Sequence, residues 1–212
     1  MKRILITGEN GYLGKHLLEY CKRYLSDSLY KRILTYSEYL SNPNIFNICR
    51  IIHLGGVSCK TDFENVKKTS NSMIDFTLEI VELAKKHKSL LIFASSMAAE
   101  KQLDIYGTYK RMLEFYISSN LEKYRILRIP RIYSEDREKG LIQNLKDDIV
   151  PKEDYKKKIQ FLDLKNFIHP FFESCFNNYR ERVIHLNESK YLEFLSIKDI
   201  KGRYICENLL EV

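Results

Sequence analysis

The chain has 212 residues, 44% hydrophobic and 30% charged, with a formal net charge of +7 at pH 7. That length suits one domain, or one domain with an appendage, and the composition can bury a core, which excludes an intrinsically disordered chain. No apolar run approaches the ~18 residues of a membrane span, so an integral membrane protein is excluded. The opening residues run from Met1 straight into a strand pattern and a glycine turn at Gly8, leaving no signal peptide, so a cytoplasmic location is expected. Cys21, Cys49, Cys59, Cys175 and Cys206 are scattered with no CxxC pair, which points to reduced thiols. His16, His87, His169 and His185 share no metal-ligand spacing, and no metal is expected. Basic residues are interleaved with acids, as in Asp136-Arg137-Glu138-Lys139, and the one dense run, Lys156–Lys158, reads as a solvated loop. Neither a nucleic acid nor a membrane is therefore an expected partner, whereas a modest positive field suits a diphosphate-bearing small molecule.

Strand and helix patterns alternate along the first two thirds of the chain. Lys2–Thr7 is a short apolar strand, and Lys15–Leu25 puts Leu17, Leu18, Cys21, Tyr24 and Leu25 on one helical face. Arg32–Tyr36 and Arg50–Gly56 read as further strands, the second of them after a polar break at 41–44. A long helical pattern from Phe63 to His87 carries Met73, Phe76, Ile80, Leu83 and Ala84 on one stripe. Ser89–Ser95, Tyr106–Ser118 and Tyr124–Pro130 then read as strand, helix and strand. Such alternation predicts an α/β fold, a Rossmann-like doubly wound parallel sheet with helices on both faces. From Ser134 the chain is richer in Lys, Asp and Asn, with apolar pieces at Ile159–Leu162, Phe167–Phe176 and Val183–Leu186. Residues 1–133 are thus expected to form the core. Residues 134–212 are expected to form a small, reduced substrate cap with returning strands and a helical segment near Ser196–Ile200.

Two constellations carry chemistry. Gly8-Glu9-Asn10-Gly11-Tyr12-Leu13-Gly14 spaces its glycines G-x-x-G-x-x-G between the first strand and the first helix. A tight strand-to-helix turn, a close approach of pyrophosphate to the backbone and the free N–H groups of a helix start all need that pattern. Gly8, Asn10, Gly11, Tyr12, Leu13 and Gly14 are therefore candidate cofactor-binding residues. Further on, Ser95-Ser96 ends a buried strand at the edge where open α/β sheets hold their ligands. Tyr106 and Lys110 lie four residues apart on one helical face. A phenol titrates near 10, and an adjacent ammonium would stabilise its phenolate and bring it into acid–base range. Ser96 would hydrogen-bond a substrate oxygen as charge develops there. His53, in an apolar strand, reads as a core histidine, and the Phe167, Phe171, Phe172 and Phe176 cluster as core or a subunit contact.

The ordered series Ile6-Thr7-Gly8…Gly14, Ile52-His53-Leu54-Gly55-Gly56, Phe93-Ala94-Ser95-Ser96, Tyr106-Gly107-Thr108-Tyr109-Lys110 and Leu127-Arg128-Ile129-Pro130-Arg131-Ile132-Tyr133 resembles the extended short-chain dehydrogenase/reductase family of nucleotide-sugar epimerases, dehydratases and reductases. The resemblance implies a catalytic Ser96, Tyr106 and Lys110, with Ser95 the competitor for the serine role. It implies cofactor contacts from Ser37, Leu54, Gly55, Gly56, Ser95, Lys110, Pro130 and Ile132 besides the glycine turn. Only nine residues, Met97–Ile105, separate Ser96 from Tyr106. That short connection resembles the reductase domain of bacterial capsule enzymes acting on UDP-4-keto-6-deoxy amino sugars, whose additional cupin domain this chain is too short to hold. The implied activity is NAD(P)H-dependent reduction of a 4-keto nucleotide sugar by a homodimer. An epimerase or dehydratase with tightly bound NAD, and a catalytically silent dinucleotide sensor or scaffold, are the alternatives. The family's ribose-binding acid at the end of the second strand is missing from Thr35-Tyr36-Ser37, which tilts the expectation toward NADP over NAD. The segment 38–47 is also too short for the strand that usually follows.

Overall fold

The computed structural model describes residues 2–43, 47–57, 65–102, 104–134, 136–137, 140–178, 180–186, 192–196 and 198–199. Cys59, Cys206 and Phe63 lie outside them. Two compact units emerge, one of residues 1–129 and 168–186 and the other of residues 130–167 and 187–212.

The first unit is the doubly wound sheet. Strands β1 (Lys2–Thr7), β2 (Ile33–Thr35), β3 (Asn47–His53), β4 (Leu90–Ser96), β5 (Tyr124–Ile129) and β8 (Val183–His185) pair in the order β2-β1-β3-β4-β5-β8. Every pairing is parallel. The central strands carry unbroken apolar stretches in their middles because helices cover both faces of a parallel sheet. Leu5, Ile6, Ile51, Ile52, Leu91, Ile92 and Phe93 are accordingly fully buried. Helix α1 (Tyr12–Tyr24) buries Gly14, Leu17 and Cys21, and α2 (Asp27–Tyr30) leads into β2. Tyr36 opens a helix instead of closing the strand. Thr35 and Glu38 form a reciprocal capping box that starts α3 (Tyr36–Ser41), a local signal outweighing the apolar run before it. Among the described residues nothing pairs beyond β2, as the shortness of segment 38–47 leads one to expect.

Helix α4 (Val66–Thr69) passes through a wider turn at Ser70–Asp75 into α5 (Phe76–His87), which buries Ile80, Val81 and Ala84. The short α6 (Ala98–Lys101) precedes α7 (Ile105–Asn120), whose first turn is capped by Asp104 through Gly107 N at 2.6 Å.

Residues 168–186, placed in the cap by the sequence boundary at 133, return to the sheet. β8 adds to β5, and two arginines tie down the C-terminal end of the helix that precedes it. Arg50 of β3 donates to Cys175 O at 2.8 Å and to Phe176 O, and Arg125 of β5 donates to Ser174 O and Asn177 O at 2.7 and 2.9 Å. The carbonyls of Ser174, Cys175 and Phe176 lie in the helix's last turn and have no partner within it, and cations are favoured at that end of its dipole.

In the second unit, β7 (Lys158–Asp163) pairs parallel with β6 (Ile132–Tyr133) and antiparallel with β9 (Leu192–Ser196). Tyr133, Leu145 and Phe161 form its small core, packed by Leu141, Val150, Tyr155 and Ile159, with α8 (Leu141–Lys146) supplying part of it. The helical segment expected near 196–200 starts past Ser196, which ends β9, and residues 198–199 are helical. Asp199 accepts from Ser196 N at 3.0 Å and Oγ at 2.6 Å, so the Ser-x-x-Asp signal marks a helical turn that starts only where the pairing with β7 stops. The apolar piece at 167–176 belongs to α9 (Leu164–Phe176). Among the described residues no helix is long and apolar enough to cross a membrane.

Candidate active site

The chain runs from β1 out to β2 on one side and back to β3 on the other. This opens a crevice at the C-terminal ends of β1 and β3, the topological switch point where open α/β sheets take ligands. Two glycine stretches line it. Gly8 follows β1 with φ +75°, and a Cβ there would stand 2.7 Å from Gly55 N and 2.8 Å from Leu54 C. Only glycine satisfies both the dihedral and the packing. A Cβ at Gly14 would stand 2.2 Å from Gly8 O, so the third glycine lets α1 close onto the turn, which Gly11 N to Gly8 O tightens at 2.9 Å. Helix α1 has no side-chain cap and no acid in its first turn, which leaves its N-terminal N–H groups and positive dipole end for an anion. Leu54 N donates to Thr7 O, and Gly55 lies against Phe76, so the second glycine stretch is pinned beside the first. These features fit a dinucleotide pyrophosphate. Asn10, Tyr12 and Leu13 lie in the turn and the helix start as expected.

Beneath this crevice His53 is fully buried and neutral. Burial and the nearby Lys110 charge push its pKa down to about 3. Thr77 Oγ1 donates to Met73 O at 2.6 Å, so it accepts from His53 Nε2 at 3.0 Å, and His53 Nδ1 accepts from Thr7 Oγ1 at 2.6 Å. The histidine is a satisfied core group, as its apolar strand suggests.

The second constellation rises from β4 and α7. Lys110 is buried, donates from Nζ to Ala94 O at 2.8 Å, lies 4.7 Å from the Phe93 ring centroid and 5.9 Å from that of Tyr106. Burial pushes its pKa down to about 8, against the pull of the Glu114 carboxylate. The structure thus brings Tyr106 and Lys110 together on one helix face and ties Lys110 to β4, at whose end the half-buried Ser96 accepts from Ala98 N at 3.2 Å. Adjacent strand residues face opposite ways. Ser95, buried, donates instead to Glu114 Oε1 at 2.6 Å, so its hydroxyl is committed to the core.

Sequence reasoning missed Glu114. It is 2% exposed, four residues beyond Lys110, and accepts from Arg128 Nε and Nη2 at 3.1 and 2.8 Å and from Arg111 at 3.0 Å. Burial alone would raise its pKa, but Arg128, Ser95 and Arg111 outweigh it and hold the carboxyl below the usual range. The signal available was the i, i+4 step from Lys110 to Glu114.

Ser37 stands against the glycine turn. Its N–H and hydroxyl donate to Glu9 Oε1 at 3.0 and 2.6 Å, so the side chain proposed for a cofactor already serves the glycine turn. Pro130 and Ile132 fall in the second unit, Ile132 at the start of β6. The described residues hold no cluster of histidine, cysteine and acids suited to a metal, and Cys21, Cys49 and Cys175 are free thiols.

The parallel sheet, its strand order and its glycine turn define the Rossmann-like dinucleotide-binding class of fold. No family model and no curated relative matches the chain. Solved structures do. WbmG of Bordetella bronchiseptica, solved with NAD and UDP, is 14% identical with a TM-score of 0.71, covering 97% of this chain and 78% of its own. L-threonine dehydrogenase of Phytophthora infestans is 13% identical with a TM-score of 0.72, covering 94% and 80%. UDP-N-acetylglucosamine 4-epimerase of Methanobrevibacter ruminantium M1, solved with UDP-N-acetylmuramic acid, is 17% identical with a TM-score of 0.71, covering 100% and 84%. At these identities the likeness establishes the fold and leaves the reaction to the residues.

Proposed function

We propose that the chain is an NAD(P)-dependent enzyme of the extended short-chain dehydrogenase/reductase type that reduces a 4-keto nucleotide-diphosphate sugar. The observation that carries the reading is the buried Lys110 ammonium 5.9 Å from the Tyr106 ring, at the strand end that bears Ser96. The glycine turn and the start of α1 would hold the pyrophosphate, and Gly55 and Gly56 let the backbone come close to the cofactor. A bound nicotinamide dinucleotide supplies or accepts the hydride. Tyr106 delivers a proton from its phenol to the substrate oxygen, and the Lys110 charge stabilises the phenolate left behind. Ser96 orients that oxygen and shares its developing charge. Lys110 keeps two ammonium protons beyond the bond to Ala94, enough to bind a ribose as well. The nucleotide-sugar substrate is supported by the short Ser96-to-Tyr106 connection and by the UDP in the WbmG structure. Release from a reduction-only cycle into epimerisation is the second reading, favoured by the likeness to the Methanobrevibacter epimerase. We place the enzyme in the cytoplasm as a homodimer. Ile105, Met112 and Phe115 of α7, 54%, 45% and 72% exposed, support a subunit contact on that helix.

One assay tests this. Purified protein is mixed with NADH or NADPH and a 4-keto UDP- or dTDP-sugar, and loss of the reduced cofactor is followed. Stoichiometric consumption is the expected result. Product without net consumption would instead make it an epimerase, and binding without turnover a silent sensor.

A further inference from the structure

We infer that Glu9, inside the glycine turn, supplies the adenosine-ribose carboxylate that the end of β2 lacks, and so selects NAD over NADP. The inference rests on the dinucleotide-binding reading above and reverses the tilt toward NADP drawn from the sequence.

In dinucleotide-binding folds the ribose next to the adenine is read near the end of the second strand, where an acid accepts from its hydroxyls and excludes a 2′-phosphate. Here β2 lies beside β1 in register, Ile6 opposite Thr35, so the end of β2 and the glycine turn are neighbours. The residues at that end, Thr35-Tyr36-Ser37, carry no acid of their own. The structure brings one across: Glu9 Oε1 accepts from both Ser37 N and Ser37 Oγ. Two donors on one oxygen set the position of the carboxylate, while Oε2 accepts nothing among the described residues and is left for a ligand hydroxyl. The Tyr36-Ser37 step is already ordered by the Thr35–Glu38 capping box, in which Glu38 takes Thr35 N and Oγ1 at 2.8 and 2.9 Å. Ser37 is therefore a positioning residue for Glu9 and not itself a cofactor ligand. A 2′-phosphate, carrying close to two negative charges, would meet Glu9 at a site that also holds Glu38, and like charges so placed disfavour binding.

The test is a binding measurement. NADH and NADPH are titrated by nicotinamide fluorescence into wild type, Glu9→Gln and Ser37→Ala, with thermal melting confirming that each variant is folded. The wild type is expected to favour NADH by about tenfold or more, the worth of one bond to a charged acceptor. Glu9→Gln should weaken NADH by about tenfold and strengthen NADPH, collapsing the ratio, and Ser37→Ala should shift it the same way by less. Equal losses for both cofactors would mark Glu9 as merely structural and overturn the inference, as would a wild type that prefers NADPH. Failure of both cofactors to bind folded wild-type protein would overturn the dinucleotide reading itself.

Discussion

The two halves of the candidate site are built on different physics. At the ends of β1 and β3 the backbone does the shaping. Gly8 and Gly14 leave no room for a Cβ, and a helix start with no side-chain cap faces the crevice. At the end of β4 and the first turns of α7 the side chains do it, through a buried lysine, a buried carboxylate and two arginines. Steric identity therefore governs the first region and charge the second. A conservative substitution is intolerable in one and informative in the other.

The largest expected effect tests the second region. Tyr106→Phe should lower turnover by about a hundredfold to ten-thousandfold, the usual worth of a positioned acid, while cofactor affinity and melting temperature stay near wild type. An unchanged rate would remove Tyr106 from the chemistry. Next comes Glu114→Ala, which leaves the buried Arg128 without its carboxylate and should destabilise by about 3–5 kcal/mol in denaturant titration. A loss below 1 kcal/mol would show that the network is not desolvated in solution. Gly8→Ala should cost about 2 kcal/mol or more and abolish dinucleotide binding together with stability, whereas the charge substitutions separate the two.

The smallest effects are in pH. Lys110, lowered to about 8, loses its proton there, so the reduction rate kcat/KM should fall above pH about 8, and Lys110→Arg should remove that limb even at a reduced rate. Folding carries the opposite sign. Between pH about 8 and the ordinary lysine value the unfolded chain holds the extra proton, so this residue's contribution to stability rises with pH across that window. His53, near 3 when folded, makes stability fall as pH drops from about 6.5 toward 3, since the unfolded chain then takes up a proton that the native core refuses. Acid unfolding followed by circular dichroism should show a transition within that range, shallower in His53→Gln.

What was legible in the sequence was what is local. The strand and helix alternation, the glycine spacing and the i, i+4 step from Tyr106 to Lys110 each depend on residues within a few positions of one another, where backbone period alone decides the face. The same locality misled at Tyr36, where an apolar run hid a capping box. Which of Ser95 and Ser96 turns into the core needed the tertiary structure. Pleating alone says that two neighbours face opposite ways, but only the packing of α7 on β4 says which of them meets Glu114. The same holds for Arg128 reaching Glu114, for Ser37 holding Glu9, and for β8 returning to β5. Partners far apart along the chain are chosen by how the sheet closes. A strand's own sequence states its pattern and its faces, and leaves open which distant charge arrives to be neutralised there.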